Sequence, residues 1–181
     1  MTSSELLSHL QTFYSLLGQL EEQAGGPRKL DNCSGIMSWA KRGVYFFREP
    51  NEDRSDTGAG SRIVRVGTHA LKLGSSTTLW TRLSQHRGQK KTGGGNHRGS
   101  IFRLLIGASL IEERRLEFPT WGEGSTASSE IRASEVALEC EVSRVIGAMP
   151  FLWLAIEDEP GPGSLRGYIE RNAIALLSNF E

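Results

Sequence analysis

Near the start of the chain, apolar residues recur every three or four positions: Leu6, Leu7, Leu10, Phe13, Tyr14, Leu17 and Leu20. That spacing predicts an amphipathic helix. Thr2-Ser3-Ser4-Glu5 has the form of a capping box, in which a hydroxyl and a carboxylate satisfy the first free amides. Gly25-Gly26-Pro27 stops the run, because Pro27 cannot continue a helix. The pattern then changes. GVYFF at 43–47 and RIVRVG at 62–67 are rich in β-branched and aromatic residues and predict two strands, joined by a polar, Gly-containing connection over 48–61. Leu79, Trp80, Leu83 and His86 fall on neighbouring turns of a helix over 78–87. Residues 88–99 (GQKKTGGGNHRG) predict a flexible loop. Two mainly helical stretches follow, at 100–115 and roughly 129–148, with a Pro/Gly/Ser loop between them. FLWLAI at 151–156 predicts a buried strand. The last helix covers 164–178, with Ile169, Ala173, Leu176 and Leu177 as its apolar stripe.

In this order the elements define an α/β fold, a small three-stranded sheet flanked by helices. A chain of 181 residues suits one domain. The expectation is a single domain over 1–181, with an N-terminal helix at 1–26 and a mainly helical insertion at 88–149 before the third strand.

Charge alters this picture more than composition does. The formal net charge is zero, but its distribution is uneven. Residues 62–111 hold nine Lys/Arg, three of the four histidines and no acid, whereas 112–181 hold six Lys/Arg against thirteen Asp/Glu. A local positive field is how proteins meet a phosphate backbone. The alternative is internal neutralisation, with the basic segment folding onto the acidic C-terminal part. No apolar run approaches the roughly 18 residues of a membrane span, and the N-terminus lacks an export signal. Cys33 and Cys140 are far apart and lack metal-ligand spacing, so they read as reduced thiols of a cytoplasmic protein.

Candidate chemistry begins with Arg82 and His86, four positions apart and so on one helical face. Arg82 offers a planar fork of donors for a phosphate, and His86 titrates near neutrality. Tyr45 lies within a strand between apolar neighbours and by itself reads first as a core residue. Glu170 stands on the last helix, one turn beyond Arg166, and by itself reads first as that arginine's solvated partner. The loop Gly93-Gly94-Gly95 lacks the Gly-Lys-Ser/Thr ending of a nucleotide-binding loop. It fits better as a basic loop that touches nucleic acid, through Lys90, Lys91 and Arg98. His69, His86 and His97 lack zinc-site spacing.

Taken in order, these pieces resemble the GIY-YIG nuclease superfamily, in pattern its restriction-endonuclease-like branch. Gly43-Val44-Tyr45 looks like the first signature tripeptide and Arg65-Val66-Gly67 stands where the second belongs. Arg82-Leu83-Ser84-Gln85-His86 looks like the RxxxH motif of that branch, and Glu170 follows the third strand on the helix where the family carries its glutamate. The match covers roughly 40–90 and 150–178. It departs from the family pattern at Arg65, which replaces the second tyrosine, in the length of the 48–61 link, and in the insertion 88–149. The family's asparagine falls past the chain end. Asn179 is too close to Glu170 to take its place, and the ending at Glu181 suggests a missing C-terminal segment.

The resemblance implies metal-dependent hydrolysis of DNA phosphodiester bonds. Tyr45, Arg82, His86 and Glu170 would be catalytic, and Glu170 would hold Mg²⁺ or Mn²⁺. Arg65, His69, Arg87, Lys90, Lys91, His97 and Arg98 would contact duplex DNA. Two other readings fit the same residues: a non-catalytic nucleic-acid-binding module on this fold, and a protein-interaction domain using the acidic C-terminal part.

Overall fold

The computed structural model describes residues 2–178. Its chain forms two compact units, Met1–Lys29 with Ser34–Trp80 and Met149–Glu181, and Leu30–Cys33 with Thr81–Ala148. In chain order the elements are α1 (Ser3–Ala24), β1 (Arg28–Lys29), β2 (Gly43–Asp53), β3 (Ser61–Gly67), α2 (Leu79–Arg87), α3 (Ile101–Arg114), α4 (Ser129–Ala148), β4 (Pro150–Ala155) and α5 (Leu165–Ser178).

The first unit is an antiparallel sheet in the order β1-β4-β2-β3 with α1 and α5. The capping box forms as expected: the Glu5 amide donates to Thr2 Oγ1, and the Thr2 amide to Glu5 Oε2. Gly25 closes α1 in the left-handed conformation that glycine adopts without strain. The sheet has four strands, not three. The additional strand, β1, is two residues long, too short to show any alternation, and pairs Arg28 with Phe151 and Lys29 with Pro150.

Strand β2 also outruns its apolar core, extending through the polar residues 48–53 across register shifts, with Asn51 at positive φ. Arg54 organises the turn that follows. Its guanidinium donates to the carbonyls of Thr57, Ala59 and Gly60 and lies 4.2 Å from the Tyr14 ring. Backbone pairing and one arginine thus order a segment whose side chains carry no strand signal.

Strand alternation gives β2 two covered faces. Val44 and Phe46 join Leu17, Ile63, Val66 and Ala173 in the core, against Phe13, Ile169 and Leu177 of the helices. Tyr45 and Phe47 point the other way. There Phe47 stacks on Phe151 at 5.1 Å, and Trp39 packs between Trp153 and Trp80 at 4.9 and 5.0 Å.

The second unit packs α3 on α4 around Phe102, Leu110, Leu138, Val142 and Ile146. Its core is also charged. Arg103, wholly buried, donates to the Glu139 carboxylate through Nε at 2.9 Å and to the carbonyl of His86 through Nη1 at 2.8 Å. Arg98 grips Glu135 with two bonds of 2.6 and 2.9 Å. A buried pair of this kind persists because each ion compensates the other and their remaining donors find carbonyls.

The glycine loop is ordered by the same network. The Gln89 amide donates to the Gly94 carbonyl at 2.7 Å and the Gly93 amide to the Gln89 carbonyl at 2.8 Å. A Cβ on Gly95 would overlap the Arg103 guanidinium. The expected flexible loop is therefore a packed turn, and its glycines admit an arginine.

Candidate active site

In the first unit the candidate residues gather at the end of β3. Tyr45 is wholly buried and pairs in register with Gly67. A Cβ on Gly67 would overlap the ring and hydroxyl of Tyr45, so only glycine leaves the phenol in place. The next residue, Thr68, donates its amide to Glu170 Oε1 at 3.0 Å and its hydroxyl to the Gly43 carbonyl at 2.8 Å. The two ends of the signature strands and the last helix are thus tied through Gly43, Gly67, Thr68 and Glu170.

Glu170 is not the partner of Arg166. That arginine is wholly buried and donates to the Asp158 carboxylate and to the backbone carbonyls of His69 and Glu159. Burial pushes the Asp158 carboxyl up, but the Arg166 side chain, amide and charge outweigh it, and the acid stays below its ordinary value. Arg166 therefore secures the start of α5, while half-exposed Glu170 accepts only the Thr68 bond among the described residues, leaving Oε2 without a hydrogen bond. Arg65 pairs with Phe47, so register places it on the Tyr45 face of the sheet. His69 is buried at 5% exposure.

In the second unit α2 carries Arg82 and His86 as successive turns of one face, and both reach the start of α3. Arg82 Nη1 donates to the Gly99 carbonyl at 3.2 Å and to Gln85 Oε1 at 3.0 Å. His86, wholly buried, has Nδ1 at 2.7 Å from Ser100 Oγ. Arg82 is only half-buried, and among the described residues its other guanidinium nitrogens make no hydrogen bond.

The expected DNA contacts divide. Lys90 and Lys91 are exposed, and Arg87 is half-buried with Nη1 on the Cys33 carbonyl at 2.8 Å. His97 and Arg98 do not fit the expected role. The His97 ring stacks on Trp121 at 3.8 Å, with Nδ1 on Glu139 and Nε2 accepting from the Gly122 amide. The Arg98 side chain is 4% exposed. Both are occupied inside the unit by acids from the C-terminal part, so the acid-free segment is partly neutralised internally. Glu135 and Glu139 lie on α4 with i,i+4 spacing, and that repeat was the available signal for a pair of buried carboxylates. Thr68, Asp158 and Ser100 had no signal of their own, since their roles depend on distant partners.

The GIY-YIG domain family matches residues 4–181. The chain therefore belongs to the GIY-YIG nuclease superfamily. No curated protein and no solved structure matches it. Among the described residues no helix is long and apolar enough to cross a membrane.

Proposed function

We propose that this protein is an endonuclease that hydrolyses phosphodiester bonds of duplex DNA with one Mg²⁺ or Mn²⁺. The observation that carries the reading is the bond from Thr68 to Glu170 beside the Gly67–Tyr45 pair. It ties a carboxylate of the last helix to the residue that follows the signature glycine covered by the Tyr45 ring.

Among the described residues no three acids, histidines or cysteines cluster as a metal cage. A hard, hydrated ion does not require one, because Mg²⁺ keeps several waters and is bound through one or two carboxylates with substrate phosphates. The donor set fits: Glu170 offers Oε2 while the Thr68 amide orients the group through Oε1. When bound, such an ion supplies charge stabilisation at phosphate oxygens.

The rest is chemistry of the chain. Tyr45 acts as general base in its phenolate form, taking the proton of the attacking water to become the neutral phenol, and is held for that task by a glycine that its ring covers. Arg82 binds non-bridging oxygens, with its Nη1 anchored and its remaining donors directed to the phosphate, more strongly as charge builds. Lys90 and Lys91 hold the DNA backbone.

The deciding experiment is nicking of supercoiled plasmid by purified protein with Mg²⁺, Mn²⁺ or chelator. Metal-dependent nicking that Tyr45→Phe abolishes supports the reading. Salt-sensitive DNA binding with no cleavage under any metal would replace it with a non-catalytic module.

A further inference from the structure

Arg65 stands on β3 two positions before Gly67. In the antiparallel register Tyr45 pairs with Gly67 and Phe47 with Arg65, and side chains two apart on a strand share a face. Arg65 is therefore next along that face from the glycine that the Tyr45 ring covers. Thr68, which follows Gly67, holds Glu170. A guanidinium, a phenol and a carboxylate are thus all attached to the short stretch 65–68, and all belong to the first unit.

The state of its guanidinium sets Arg65 apart from the other buried and half-buried arginines of this unit. Arg65 is half-buried and its Nε is shielded from solvent, yet among the described residues none of its side-chain nitrogens makes a hydrogen bond or ion pair. Arg42 and Arg48 also have a shielded, unbonded Nε, but Nη1 anchors each of them, on the Asp158 carbonyl and on Glu21 at 2.7 Å respectively. Arg54 is tied to the Thr57 carbonyl and Arg166 to Asp158. Arg65 finds no acid in its own part of the chain, since residues 62–111 contain none. Partial burial of a cation without an acceptor costs desolvation free energy with no return inside the fold. A polar group kept in that state marks a functional role or a bound species.

We propose that Arg65 binds a DNA phosphate at the Tyr45–Glu170 end of β3, in the place of the second signature tyrosine, and stabilises the charge that builds there during cleavage. The role in cleavage rests on the nuclease reading; the phosphate site does not. A guanidinium fork matches two phosphate oxygens and keeps its charge at any working pH. A neutral phenol has one donor and no charge to offer. As water attacks, negative charge grows on the non-bridging oxygens, and a fixed cation holds that state more tightly than the ground state. Arg65 forms no covalent bond and keeps all its protons throughout.

Two measurements separate the two claims. ¹H–¹⁵N spectra of the arginine Nε–H groups in the full chain, assigned with Arg65→Lys, report the contact without cleavage. Titration with a short DNA duplex in chelator should shift the Arg65 resonance. A resonance that stays in place while the duplex binds, or a chain that binds no duplex, overturns the phosphate site. In plasmid cleavage Arg65→Gln should lower kcat by about a hundredfold with little change in KM, and Arg65→Lys should recover part of the loss. A higher KM at unchanged kcat would put Arg65 on a flanking phosphate and remove it from charge stabilisation. The Tm of Arg65→Gln should not fall, because no internal bond is lost; a large fall would make Arg65 a structural residue and overturn the proposal. A wild-type chain whose Arg65 resonance shifts with DNA but which cuts nothing would defeat the nuclease reading and leave the phosphate site standing. A chain that cuts DNA and stays fully active as Arg65→Gln would defeat the role in cleavage alone.

Discussion

The Thr68 amide donates to Glu170 Oε1 at 3.0 Å across 102 positions of sequence. This bond places the glutamate of the last helix at the end of the strand that carries the second signature glycine. It also distinguishes Glu170 from an ordinary surface carboxylate, because the arginine one turn away is committed to Asp158.

Glu170→Gln tests the ligand role. The amide oxygen can still accept from Thr68, so fold and DNA binding should survive. The charge that attracts a hard cation is lost, and Mg²⁺-dependent cleavage should fall by orders of magnitude. Plasmid nicking and DNA binding measured side by side give the answer, and a fully active variant ends the assignment.

Gly67→Ala should act through Tyr45. The added methyl overlaps the phenol and its ring, and overpacking of this kind costs about 1–3 kcal/mol. A drop in Tm with a larger proportional loss of cleavage is expected, since the phenol must move to admit the methyl. An alanine variant with unchanged Tm would show that the two residues do not touch.

Salt dependence tests the loop lysines. Lys90 and Lys91 are exposed, and each phosphate contact contributes about one unit to the slope of log affinity against log salt. Lys90→Ala with Lys91→Ala should flatten the slope by roughly two units. Arg98→Ala should instead lower stability, because its guanidinium is held by Glu135. Titrations of a fluorescent duplex at several salt concentrations distinguish the two behaviours.

Acid should weaken the second unit through Glu135. The Arg98 hydrogen bond holds its carboxyl below the ordinary range despite burial, with Thr120 and the Arg98 charge adding to the effect. A depressed folded value means that the stabilisation is present above the unfolded value, near 4.3. It is lost as pH falls through the lower folded value. Melting curves between neutral pH and strong acid should therefore show a loss that Glu135→Gln reduces, at the expense of stability near neutrality. An acid dependence identical in the two proteins would exclude Glu135 as its source.

What the sequence determined was local. Period 3.6 in Leu6 to Leu20, the capping box at Thr2, the aromatic run at 43–47 and the apolar run from Phe151 depend on neighbours within a turn or a strand. The helices and main strands follow from them, as does the order of the signature residues. The two-residue β1, the polar half of β2 and the packed glycine loop depend on pairing with distant backbone or on one arginine, and they leave no periodic trace. The site divides the same way. Tyr45, Arg82 and Glu170 were legible as residue types in an ordered pattern. Only the tertiary structure gave Glu170 to Thr68 and Arg166 to Asp158, and turned His97 and Arg98 inward to Glu139 and Glu135. A charge reads the same in sequence whether it faces water or a buried carboxylate. Its partner, supplied by a helix dozens of residues away, decides whether it is structure or function.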